Sequence, residues 1–188
     1  MRNLIATLML GSVLLTGCMS TPKTPEHLVI QQPTAGNLQA PTMQAVNLQV
    51  RDQRTQNHIL RVEHTDDKAE FATSTVPLAT LISDAMADFW PNDDSAQVQF
   101  TVYLEEALIL VYPDGGNYRA EHEMATRLVV RSGDQWVSRR YVTRVAGGPY
   151  KRLDYGHLND TFNKVVQTNV RDMFKDVILQ EWLAEHVR

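Results

Sequence analysis

The chain has 188 residues, enough for one domain with a real core, and 22 Asp+Glu against 18 Lys+Arg give it a formal charge of −4. No basic block stands out, which argues against nucleic acid as a partner. With a single cysteine no intrachain disulfide can form, and stability must rest on burial.

The N-terminus opens with Arg2, an apolar run from Leu4 to Leu15, and then Thr16-Gly17-Cys18. The run is shorter than the roughly 20 residues of a membrane-spanning helix. Charge, apolar stretch and small residues in that order read as a targeting signal. The segment Leu15-Thr16-Gly17-Cys18 resembles a lipobox. That resemblance implies a signal peptide over 1–17, cleavage before Cys18, and a diacylglycerol on the Cys18 sulfur. Met19 rather than aspartate follows, which implies sorting to the periplasmic face of the outer membrane.

Residues 18–44 hold Pro22, Pro25, Pro33 and Pro41, and no aromatic residue occurs before Phe71. Such a stretch has little apolar surface to offset its ordering entropy. It is expected to be a flexible tether spanning on the order of 30 Å. The alternative is that Leu28-Val29-Ile30 docks as a strand. Residues 45–188 are expected to fold as one unit without it.

Val46, Leu48 and Val50 alternate with polar residues and predict a strand ended by Arg51-Asp52-Gln53-Arg54-Thr55. Ile59–Val62 and Ala69–Ala72 predict a hairpin. Leu78, Leu81, Ile82, Ala85, Met86 and Phe89 lie on one face of a 3.6-residue period, a helix stopped by Pro91. Val98, Phe100, Val102 and Leu104 share a strand face, Glu105-Glu106 break it, and Ala107–Val111 resume it, which predicts a bulge. Asp114-Gly115-Gly116 is a hairpin turn. The return strand alternates Tyr118, Ala120, His122, Met124, Thr126, Leu128 and Val130 with Arg119, Glu121, Glu123, Arg127 and Arg131. A third strand carries Val137, Tyr141 and Val145 as far as Gly147-Gly148-Pro149. The last helix has the stripe Phe162, Val165, Val166, Val170, Met173, Phe174, Val177, Ile178, prolonged by Trp182 and Leu183. Unbroken, it would run roughly 45 Å, and a kink is expected near Lys175-Asp176. Together these elements predict an α+β fold: a two-layer sandwich of a mostly antiparallel sheet with two amphipathic helices on one face.

The stretches VNLQVRDQRT, GNYRAEHEMATRLVV and NDTFNKVVQTNVRDMF resemble the YajG-like family of envelope lipoproteins. The family offers no catalytic motif, so the resemblance implies a location and an architecture. The layout also looks like small accessory lipoproteins of outer-membrane and transport machines, an analogy of fold alone.

Candidate chemistry is sparse. Within Glu121-His122-Glu123, alternate side chains of a strand point to opposite faces, so the triplet is no metal cluster. The other histidines lack ligand spacing. Glu105-Glu106 diverge in the same way, no G-x-S-x-G is present, and neither glycine pair opens a helix after a parallel strand. No enzyme, metal site or cofactor is expected. Tyr112 and Tyr118 bracket the hairpin turn, Tyr150 follows in a loop, and these three are the candidate partner-binding residues. The expected function is a non-enzymatic, membrane-anchored accessory module that binds a periplasmic or outer-membrane protein. The alternative is a carrier or sensor of an apolar ligand held between helices and sheet.

Overall fold

The computed structural model describes residues 23–38 and 45–187. Cys18 and the expected signal peptide lie outside them. The fold is α+β, built on a seven-stranded mixed sheet.

The long strands decide the architecture. We label the elements β1 (His27–Leu28), β2 (Asn47–Asp52), β3 (Leu60–Glu63), β4 (Ala69–Ser74), α1 (Leu78–Phe89), β5 (Val98–Asp114), β6 (Asn117–Ser132), β7 (Gln135–Tyr150), α2 (Tyr155–Lys175) and α3 (Val177–His186). Strands β5, β6 and β7 form an antiparallel meander, joined by the turns the glycines predict. Gly115 and Gly116 take φ of 57° and 83° at the first turn, a region that side chains with a Cβ disfavour.

The other edge of β5 is shared. β2 pairs in parallel with Gln99–Leu104, and β3 pairs in parallel with Ile109–Val111. The expected bulge falls between Leu104 and Glu106, in the gap left between those two partners. Arg51-Asp52-Gln53-Arg54-Thr55 crosses this gap. Gln53 N–H donates to Leu104 O at 2.9 Å, and the Arg54 guanidinium, 7% exposed, binds Asp52 at 2.7 Å. The predicted hairpin β3–β4 is antiparallel, and β1 adds to β4 in parallel. Three pairings are thus parallel, and the expectation of a mostly antiparallel sheet is corrected to a mixed one. Strands β2 to β7 form where the patterns predict, although β7 runs on through Gly147-Gly148-Pro149 so that Tyr150 is a strand residue rather than part of a loop, and parallel pairing between distant segments leaves no local signal.

One face of the sheet is covered. The buried residues of α1 are the six that periodicity selects. Phe89 stacks on Phe174 of α2 at 4.2 Å, and Trp90 meets Phe100 of β5 and Phe174 edge-on at 5.2 Å each. Each such aromatic pair contributes about 0.5–1.5 kcal/mol beyond its area burial. Phe162 and Phe174, twelve residues apart, are both buried.

Asp176 breaks the last helix where a kink was expected. It adopts an extended conformation, caps α3 by accepting from Leu179 N–H at 3.1 Å, and accepts from Arg139 and Tyr141 of β7 at 2.8 and 2.9 Å. The break changes the helical phase. Val177 and Ile178, expected in the buried stripe, are therefore exposed, while Leu179 and Leu183 are buried.

The tether reading is corrected over 23–38. Leu28 and Ile30 are only 4% exposed, and Pro33 is buried too. Asn159, Asn163 and Gln167 stand one turn apart on α2 and hold the segment by its backbone. The two asparagine carboxamides donate to Val29 O, Asn163 Oδ1 accepts from Gln31 N–H, and Gln167 exchanges two bonds with Thr34. Composition suggested a free chain because the docking groups lie more than 120 residues away.

Candidate functional site

Strand alternation gives β5–β7 a second face that α1 and α2 do not cover. Residues directly opposite each other across strands share a face, so the register defines rows of side chains. One row reads Phe71, Arg61, Leu110, Glu121, Ala146, and the next contains Tyr112 and Arg119. A row near the middle contains Arg51, Tyr103, Arg127 and Arg140. The last reads Asn47, Gln99, Arg131, Trp136.

Charges on this face are mostly paired. Glu105, lifted by the bulge, accepts from Arg127 and Arg140 at 2.7 Å each. The two guanidiniums, Arg140 first, hold its carboxyl below the ordinary value. Arg127 also lies over the Tyr103 ring at 4.4 Å. Arg144 binds Glu123 at 2.6 Å, and Arg119 binds Asp114 at 2.5 Å. Glu105 is thus held in ion pairs that join β5, β6 and β7.

The three candidate tyrosines do not form one surface. The Tyr112 hydroxyl donates to Glu121 at 2.8 Å on the uncovered face, and that bond raises its pKa. Tyr118 and Tyr150 are register partners that pack against the core from the helix side. The sheet separates them from Tyr112. At Gly148, where φ is +110°, a Cβ would meet Tyr118 O at 2.8 Å, so only glycine lets the end of β7 close on the start of β6. Tyr155 also packs against the core, and its hydroxyl meets the Thr24 hydroxyl at 2.7 Å.

His122 is buried as strand alternation implies, away from both glutamates. Nδ1 lies 3.3 Å from Val145 O, and Nε2 has no partner among the described residues. Burial pushes its pKa below the ordinary value. Asn169 is the other polar group in this layer. It bonds Thr126 at 2.6 Å and the carbonyls of Met124 and Tyr141 at 3.2 Å each, which pins α2 to β6 and β7. Among the described residues no three His, Cys, Asp or Glu side chains gather as metal ligands, and no helix is long and apolar enough to cross a membrane.

Sequence reasoning missed a cleft on the uncovered face of β2, β5 and β6, about 290 Å³ in volume. Asn47, Gln49, Arg51, Gln99, Thr101 and Arg131 supply its polar lining. Their charge and polarity were legible, but the parallel β2–β5 pairing that brings them together was not.

The geometry defines an α+β domain with an aromatic cluster in its core and a polar open face. The chain belongs to a family described as uncharacterized lipoproteins, whose model matches residues 32–184. The resemblance carried by the sequence motifs is supported at that level. No curated protein matches the chain significantly. Among solved structures, it is similar to protein XCC0632 from Xanthomonas campestris, of family DUF330, at 9% identity and a TM-score of 0.56, over 87% of this chain and 99% of that one. A second similar structure, an uncharacterized protein, has 10% identity and a TM-score of 0.46, over 81% of this chain and 99% of the other. The first likeness concerns the fold alone.

Proposed function

We propose that this lipoprotein is a non-enzymatic accessory module that binds a protein in an envelope assembly, anchored to the periplasmic face of the outer membrane through diacylglycerol on Cys18. Helices and sheet form two layers in this reading, and recognition belongs to the side that the helices leave open.

The uncovered face carries the reading. Phe71 is 51% exposed, and its row alternates apolar side chains with charges through Arg61, Leu110, Glu121 and Ala146. Tyr112 adjoins it with a hydroxyl already turned to Glu121. Apolar contact area with charges held in fixed positions suits a protein surface. Tyr118 and Tyr150 serve instead to close the end of the sheet.

The docked N-terminal segment supports a position close to the membrane. Thr24 comes six positions after Cys18, at most about 20 Å of extended chain. Met19 favours outer-membrane sorting. Between helices and sheet the Phe89, Trp90, Phe100 and Phe174 rings pack on one another, an arrangement that favours the protein-binding reading over an apolar carrier.

Two measurements test the proposal. Labelled palmitate should enter the wild type and not Cys18→Ala, and the label should fractionate with the outer membrane. A photo-crosslinking residue at Leu110 should capture a protein that one at Lys164, on the exposed side of α2, does not. Equal capture at both positions would sink the protein-binding role.

A further inference from the structure

The seven arginines 54, 61, 119, 127, 139, 140 and 144 each have a carboxylate partner within 4.0 Å. Arg51 and Arg131 have none among the described residues, and both line the cleft described above. Among the described residues no acidic side chain lines it with them. A protein with a formal charge of −4 therefore holds a cationic cleft. Its remaining polar groups are the carboxamides of Asn47, Gln49 and Gln99 and the hydroxyls of Thr101 and Tyr103, which both donate and accept; Gln49 Oε1 already accepts from Arg51 at 2.8 Å, and the Asn47 amide donates to Asp94 O at 2.7 Å. Beside Arg131, on the same face, stands Trp136, 64% exposed on the edge strand β7.

We propose that this cleft binds an acidic saccharide. Each group has a counterpart in such a ligand. Guanidinium recognises carboxylate or phosphate oxygens through paired N–H donors. Carboxamides match sugar hydroxyls, which donate and accept as they do. An exposed indole offers a flat apolar surface to the C–H face of a pyranose ring. Arg51 faces Tyr103 and Arg131 faces Gln99, four residues apart on β5. That spacing is about 13 Å along the strand, which fits a disaccharide or longer chain better than a single small anion.

The placement agrees with a ligand lying away from the membrane. Helix α2 starts at Tyr155, bonded to Thr24, and the chain beyond it ends where Ser132 at the other end of β6 donates to His186 O. The cleft adjoins this far end. From Tyr118 to Arg131, β6 covers roughly 40 Å. This inference rests on the envelope location proposed above, where the cell-wall glycan carries carboxylates on its muramic acid units.

The test is calorimetric titration of the full-length lipoprotein in detergent. The probe is the disaccharide of N-acetylglucosamine and N-acetylmuramic acid, with chitobiose and inorganic phosphate as the neutral and simple-anion arms. The acidic disaccharide should bind, and chitobiose should bind at least tenfold more weakly. Arg51→Gln and Arg131→Gln should each weaken binding about tenfold, the effect of one charged hydrogen bond. Arg144→Gln, on the same face but outside the cleft, should not change it. Trp136→Ala should weaken both sugars alike. Equal binding of chitobiose would overturn anion recognition, phosphate binding as tight as the disaccharide would reduce the site to a simple anion site, and no heat from any arm would end the proposal. Because thermal unfolding of each variant is recorded alongside, loss through misfolding is recognised. The readout is independent of Cys18 acylation, so failure of the anchor reading shows separately in the palmitate experiment.

Discussion

Strands β5, β6 and β7 present two faces made by alternate residues of the same chain, and the faces solve different problems. On the covered face Phe100, Met124 and Leu128 meet the helices, and of its polar exceptions Thr126 bonds Asn169 of α2 while His122 is buried beside Val145 O. On the open face Arg61, Arg119, Arg127, Arg140 and Arg144 each meet a carboxylate. Buried apolar contacts specify the fold and carry its stability, whereas exposed ion pairs contribute little and leave the surface free to recognise something else. Substitutions on the two faces should therefore separate cleanly, by stability on one and by binding on the other.

The largest effect is expected at the centre of the covered face. Phe174→Ala removes a ring in contact with Phe89 and Trp90 and should cost about 3–5 kcal/mol in urea unfolding. A loss below about 1 kcal/mol would mean that the helix side is not the core that this contrast requires.

The docked N-terminal segment belongs with the covered face if its contacts persist in solution. Leu28→Ala should then cost about 2–3 kcal/mol, as buried leucines do. A truncation starting at Ala45 should lose at least as much, since Ile30 and the bonds to α2 go with it. An unchanged midpoint in the truncation would restore the free-tether picture.

Next in size is the joint at Asp176. Burial alone would raise its carboxyl, but hydrogen bonds from Arg139, Leu179 N–H and Tyr141 outweigh it and hold the pKa below the ordinary value. Asp176→Ala removes a helix cap and should cost about 1–2 kcal/mol. Its own contribution is present at neutral pH and is lost as pH falls through the depressed folded pKa, below about 3.8. Hydrogen exchange in α3 should rise more than in α2.

His122 gives a different pH window from the same face. Its folded pKa is lowered by burial, so the unfolded chain takes up the proton first as pH falls below 6.5. Stability should therefore decline on acidification, with a slope of up to about 1.4 kcal/mol per pH unit, until the folded form also protonates. The decline between pH 6.5 and 5 should shrink in His122→Leu. An identical slope in that variant would assign the effect to other groups.

How much of this was legible depended on distance along the chain. The six buried positions of α1, the bulge at Glu105-Glu106 and the alternation of β6 follow from neighbours a few residues apart. The break at Asp176 was readable as excess helix length, but its phase shift, which exposes Val177 and Ile178, depends on Arg139 and Tyr141 far upstream. Docking of Leu28 and Ile30 needed Asn159, Asn163 and Gln167. The candidate site suffered most. Tyr112 and Tyr118 flank one turn and look adjacent, yet strand alternation sends them to opposite sides. Arg51 and Arg131 look unrelated until β2 joins β5 in parallel.

The smallest expected effect on stability is on the open face, where it is the most informative. Arg144 binds Glu123 across strands, but its side chain is 70% exposed. Exposed pairs gain little Coulomb energy in water and lose side-chain entropy when they form. Arg144→Gln should shift the melting temperature by less than about 2 °C. The same variant alters the charge pattern next to Leu110, Glu121 and Ala146, which the protein-binding reading assigns to the partner. Crosslinking from Leu110 should fall while the fold is unchanged. Repulsion can be added with Arg144→Glu, which places a third carboxylate beside Glu121 and Glu123 and should reduce crosslinking further. If both variants crosslink as the wild type does, Arg144 takes no part in recognition, and the partner contact is confined to the Phe71, Leu110 and Tyr112 side of the open face. If instead the melting temperature drops steeply, the open-face pairs carry stability and the separation between the two faces fails.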